Sequence, residues 1–107
     1  MLLLKVKSVA LHLNNERAKE FVALCRAHAE ASKKDEGNLG FRMKYILLPG
    51  AVKVTFLELW RDRDALEKHN QAAKTRGHIA KIDEMRVYRE VIERETEEGD
   101  AFKQRKK

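Results

Sequence analysis

Little of what marks a disulfide, metal or nucleotide-cofactor protein is found in this chain. A single cysteine, Cys25, excludes an internal disulfide and suits a reducing compartment. No phosphate loop, dinucleotide fingerprint or nucleophile elbow occurs. Nor do three ligands stand at metal spacing, since His69 and His78 fall on what read as separate helices. The apolar content of 43% is ordinary, which argues against both disorder and a membrane-spanning chain. The opening MLLLKVKSVALHL is interrupted by Lys5 and Lys7 and is followed by no small-residue cleavage site, so it reads as a strand and not a signal peptide. These absences predict a cytoplasmic protein with no membrane contact, metal or cofactor. No internal repeat is evident, and 107 residues suit one domain.

The net charge of +6 points toward nucleic acid only until its distribution is read. Four of the 23 basic residues sit in the last five positions, KQRKK, and the remainder of the chain is nearly balanced. Clustered cations at a chain end can touch phosphates, but such a tail is usually a solvated end. Residues 1–95 are therefore expected to form the domain and 96–107 a polar, disordered, basic tail. The strand aromatics do not match the basic-aromatic signature of RNA-binding sheets, so a nucleic-acid partner is not expected.

Along the chain, residues 2–13 alternate, with Leu2, Leu4, Val6, Ser8 and Ala10 on one side and Leu3, Val9, Leu11 and Leu13 on the other. Apolar residues on both sides imply cover on both faces. Asn14 to Glu16 reads as a helix start, and Ala18, Phe21, Val22, Cys25 and His28 or Ala29 form one stripe as far as Lys34. Gly37 and Asn38 read as the helix exit, and Gly40 as a bulge or a close backbone approach in the strand that follows. Pro49 to Ala51 reads as a hairpin turn. The next strand places Val54, Phe56, Glu58 and Trp60 together, with Thr55, Leu57 and Leu59 opposite. Asp62 can cap a short helix, RDALEKHN, and a second helix is expected over 74–85, with Thr75, His78, Ile79 and Ile82 on one face. RVYREVIER alternates as a last strand. The order predicts an α+β fold, a ferredoxin-like split βαβ with a four-stranded antiparallel sheet and helices on one face. In so short a chain a second copy is the natural cover for the other face, which predicts a homodimer.

Several side chains could carry chemistry. His69 falls on the inward side of its short helix, where an imidazole can shuttle a proton or can be a neutral core residue. His78 shares a face with Ile79 and Ile82 and carries the same two readings. His28 lies in the stripe of the first helix, at the core edge, from where it could reach the same cavity. Glu58 stands between Phe56 and Trp60, where an unpaired carboxylate is costly; it must face water in a cavity, pair with a cation, or hold a proton. Trp60 is either core or cavity wall, and its N–H needs a partner. Cys25 in an apolar stripe reads as an inert core thiol.

DEGNLGF, the hairpin, FLELWRDRDALEKH and a later helix with a histidine together resemble the antibiotic biosynthesis monooxygenase domain family, over residues 2–95. The sharpest parts are EGNLGF (Glu36 to Phe41) and Glu58, Trp60, Asp62, Ala65, Leu66 and His69. The resemblance implies a dimeric α+β barrel. It is a fold that hosts quinol oxidation, isomerisation of a phosphorylated signalling sugar, and haem degradation. Members that oxygenate polyketide phenols without a cofactor place an asparagine four residues before the tryptophan and a tyrosine six after it; here those positions are Phe56 and Leu66. Haem-degrading members have an asparagine in the first strand, where this chain has Lys5, Val6 and Lys7, and a tryptophan near the place of His69. The resemblance thus implies a cofactor-independent monooxygenase of a quinol or similar electron-rich substrate, with O₂ as co-substrate. His69 is its base, His78 or Glu58 orients the base, and Trp60, Phe41 and Phe56 enclose the substrate ring. Two alternatives stay open: a non-catalytic dimeric module for a metabolite or protein partner, and an isomerase or proton-transfer enzyme in the same pocket.

Overall fold

A computed structural model describes residues 1–11 and 14–97. Its elements are β1 (Leu2–Leu11), α1 (Asn15–Ser32), β2 (Asn38–Leu48), β3 (Ala51–Trp60), α2 (Arg63–Arg76), α3 (His78–Met85) and β4 (Arg86–Glu95). The strands form one antiparallel sheet in the order β2-β3-β1-β4, the α+β ferredoxin-like arrangement that the element order predicts. Positions 12 and 13 and nearly all of the expected tail lie outside the described residues.

Alternation decides which side chains meet the helices. Leu2, Leu4, Val6, Ser8 and Ala10 on β1 oppose Trp60, Glu58, Phe56, Val54 and Val52 on β3, and all ten are buried. α1 closes over them with Phe21, Cys25 and Ala29, and α3 with Ile82. Phe21 and Ile82 are fully buried, each contributing about 2–3 kcal/mol by removal from water. The Asn14 side chain accepts from Arg17 N at 3.0 Å and starts α1; Asp62 accepts from Ala65 N at 2.8 Å and starts α2.

Three expected boundaries move. α2 does not stop after Asn70 but continues to Arg76, because Gln71, Ala72, Ala73 and Lys74 are good helix formers. The first break is Gly77, at φ +87°, so the second helix begins at His78 rather than at 74, and Thr75 is an exposed residue of α2. α1 likewise ends at Ser32, short of Gly37. A turn follows, with Lys34 N bonded to Ala31 O and Asp35 N bonded to Ser32 O, and Gly37 lies beyond it at φ +82°.

Gly37 is needed for a different reason. A Cβ at that position would drive into the Cβ of Ala65 in the first turn of α2, so the residue sets how closely the loop and α2 approach. Asn38 then steadies the start of β2, its amide donating to Gly40 O at 3.2 Å and Leu59 O at 3.4 Å. Leu39 is skipped in the pairing as a bulge, the outcome anticipated at Gly40. EGNLGF thus fixes the strand-to-helix junction beneath the site.

Candidate active site

Between the sheet and helices α2 and α3 lies an open cavity of about 460 Å³. Its floor is Leu4, Val6, Phe56 and Glu58 from the sheet, and its walls include His28, His69 and Ile79. The strand face that carries Phe56 therefore also delivers Glu58, and the inward side of α2 delivers His69.

His69 is the best-held group. Its Nδ1 lies 2.7 Å from an oxygen of Asp35, and Arg76 donates to both oxygens of that same carboxylate at 2.9 and 3.0 Å. Burial alone would raise the pKa of Asp35, but the hydrogen bonds from Arg76 and His69 outweigh it and hold the carboxyl below its ordinary range. An ionised Asp35 accepts a hydrogen bond from Nδ1–H, so Nε2 is the nitrogen with a lone pair for a ligand. Burial lowers the pKa of His69, and the Asp35 contact recovers only part of that fall. The ring is thus neutral at pH 7 and ready to accept a proton, with an acid in place to stabilise the imidazolium.

Glu58 is 4% exposed and accepts a hydrogen bond from Trp60 Nε1 at 3.0 Å. Burial pushes its pKa up to about 7, against the lowering effects of the Trp60 bond and of the Arg89 charge. Of the three resolutions open to it, the structure shows one, since it faces the cavity, and its burial favours a second, the held proton. The tryptophan N–H finds its partner in the same contact.

The aromatic residues form a layer behind these groups. Trp60 stacks against His69 with ring centroids 4.4 Å apart, and Phe41 packs against Phe56 at 5.4 Å. Phe56 reaches the cavity, whereas Trp60 and Phe41 back its walls. His28 sits among Phe41, Phe56 and His69, at 5.8, 5.4 and 5.6 Å between ring centres. Burial, and then the nearby His69, Arg76 and His78, bring its pKa down to about 4, and its Nδ1 has no hydrogen-bond partner. His28 therefore reaches the cavity from α1 as a permanently neutral imidazole near pH 7.

His78 is placed differently from His69. It opens α3, is half-buried and does not line the cavity. The residue that orients His69 is Asp35, not His78 or Glu58. Asp35 and Arg76 were not legible as site residues: they lie far from each other in sequence, and Asp35 sits in a stretch that reads as a helix exit. Cys25 is fully buried and its thiol is pushed up to about 12, in keeping with a core role. Among the described residues no cluster of three or more metal-ligating side chains occurs. A second groove, of about 650 Å³ between α1 and β2, is lined by Ala18, Val22, Tyr45 and Leu47 and has no buried titratable group.

The chain matches the sequence model of the family described as antibiotic biosynthesis monooxygenase over residues 7–81. It belongs to that family. Solved structures agree on the fold. A candidate antibiotic biosynthesis monooxygenase from Deinococcus radiodurans superposes with a TM-score of 0.72 at 20% identity, covering 92% of this chain and 95% of that one. One from Nitrosomonas europaea gives 0.74 at 14% identity, covering 90% and 98%. SnoaB from Streptomyces nogalater, a cofactor-independent oxygenase, gives 0.62 at 14% identity, covering 91% and 94%. At these identities the likeness is one of fold. No match was found among curated protein sequences. Among the described residues no helix is long and apolar enough to cross a membrane.

Proposed function

We propose that the protein is a cofactor-independent monooxygenase of quinols or similarly electron-rich small molecules, working as a homodimer. The observation that carries the reading is the Asp35–His69 pair at 2.7 Å, with His69 on the wall of a cavity that has an apolar floor. His69 Nε2 takes the proton of a phenolic O–H, and Asp35 holds the resulting imidazolium. The electron-rich anion gives an electron to O₂, and the two radicals join in a carbon–oxygen bond. A proton from His69 or Glu58 goes to the outer oxygen of this peroxide. Cleavage of the O–O bond, with loss of hydrogen from the same carbon, leaves a carbonyl and releases water. A quinol plus O₂ thus gives a hydroxyquinone plus H₂O. Displacement of water by the bound ring favours this chemistry because charge is then less quenched by solvent.

Oxygen uptake with a panel of quinols in ¹⁸O₂ tests the reading. The expected result is one O₂ consumed per quinol, with one labelled atom in the product. Absence of enzyme-dependent uptake across the panel rejects it. The isomerase alternative has its own support, because a neutral base and a half-protonated acid line one cavity. It requires deuterium exchange into the ligand without oxygen uptake.

The dimer is supported by the sheet face turned away from the helices. There Leu11, Ile46, Leu48, Tyr88 and Ile92 are exposed, an apolar set that a second copy of the sheet can cover.

A further inference from the structure

The cavity has a charged side that proton transfer and oxygen chemistry do not use. Where α2 and α3 meet the start of β4, its lining includes Lys74, Asp83, Arg86 and Arg89. Arg86 is committed: its guanidinium pairs with Asp83 and donates to Ser8 Oγ at 3.0 Å, so that pair is neutral as a unit. Lys74 and Arg89 are not committed. Neither takes part in an ion pair among the described residues, and both are exposed at the cavity. Arg89 shares its sheet face with Phe56, Leu4 and Val6, which make an apolar floor suited to a flat ring. The two imidazoles facing the same space are neutral, so the cations are balanced within the cavity only by Glu58.

From this arrangement we infer that the ligand is an aromatic acid, its ring on the Phe56 floor and its carboxylate between Lys74 and Arg89. This rests on the oxygenase reading and deepens it by naming the substrate class, a quinol or similar phenol that carries a carboxylate. A guanidinium meets a carboxylate with two parallel N–H donors, and the ammonium of Lys74, from α2, adds a second charge. Since both cations lie at the water-facing side, they bind the acid group at the mouth and leave the ring to enter.

The test uses a near-isosteric, non-oxidisable pair, 2-naphthoate and 2-naphthamide, with calorimetric titration of the full-length protein. The expected result is binding of the acid at least about tenfold tighter than the amide, from one charge-assisted contact or more. That preference should shrink as salt is raised. Arg89→Ala and Lys74→Ala should each cut it severalfold, and the double variant should abolish it; both residues are exposed, so the fold is retained. Equal binding of acid and amide, or a preference that survives in the double variant, overturns the inference while leaving the oxygenase reading intact. Failure of both probes to bind overturns the inference and the aromatic pocket together.

Discussion

The two faces of the sheet are built from the same strands and carry opposite kinds of residue at their centres. On the helix side the middle of β1 and β3 holds Val6, Ser8, Val54 and Phe56, and the one acid among them, Glu58, faces a cavity. On the other side the middle is cationic: Lys5, Lys7, Lys44 and Lys53 line two shallow clefts there, with Glu90 3.8 Å from Lys7. The exposed apolar residues of that side, such as Leu11, Ile46 and Leu48, lie toward the hairpin end. The difference separates two tasks. The helix side can host chemistry because its polar groups are few, buried and individually held. The open side can host association, provided that its lysines stay at the wet edge of the contact or meet acids of the other copy.

Changes on the helix side should therefore damage chemistry or folding without touching association, and changes on the open side the reverse. The largest effect is expected at Asp35→Asn, which removes the acid that fixes the His69 tautomer. A loss of roughly 100-fold or more in kcat is expected, in a protein that stays folded and keeps its state of association. A wild-type kcat would show that His69 needs no orienting acid. Gly37→Ala comes next, since it adds a clash with Ala65 and a strained φ. A loss of about 2–4 kcal/mol in chemical unfolding is expected, and a loss below about 0.5 kcal/mol would mean that the loop has another conformation. On the open side, Ile46→Lys with Leu48→Lys should weaken self-association by about 100-fold in sedimentation velocity, each change counting twice across a two-fold axis. Unchanged association would place the interface elsewhere.

The smallest expected effect is in pH dependence. The pKa of Glu58, raised to about 7, favours the folded state below its ordinary value of 4.5, and this contribution is lost as pH rises through 7. His28, lowered to about 4 from 6.5, acts in the opposite sense: its contribution is present above 6.5 and is lost as pH falls through 4. Between pH 4.5 and 6.5 the two oppose each other, which flattens their joint effect on wild-type stability. Glu58→Gln removes one limb and keeps an acceptor for Trp60. Its stability relative to wild type should rise by on the order of 2 kcal/mol from pH 4.5 to 7, read from urea midpoints. Parallel profiles would mean that Glu58 is charged in the folded protein.

Alternation made the strands legible, and Asn14, Asp62 and Gly50 marked elements correctly because capping and turn chemistry are local. Glu58 was legible as an oddity for the same reason: period-2 spacing put a carboxylate between two aromatics. The break between α2 and α3 was misplaced because NQAAK looks like a connection but has no residue that stops a helix. The Asp35–His69–Arg76 triad was invisible, since it forms only when the loop after α1 reaches α2 across the sheet end. Lys5 and Lys7 interrupt the outer side of β1, where Leu3, Val9 and Leu11 give the strand a two-sided apolar character that masks them. Their place in the centre of the open face follows from register with Lys53 and Lys44, which one strand cannot reveal.

The most direct test of the central claim is the rate of oxygen uptake by His69→Ala beside wild type, at equal concentration of folded protein and with the best quinol of the panel. A fall of at least about 100-fold, with the sedimentation coefficient and circular dichroism spectrum unchanged, is the expected result. Uptake within a factor of two of wild type would contradict the account and move the chemistry away from this imidazole.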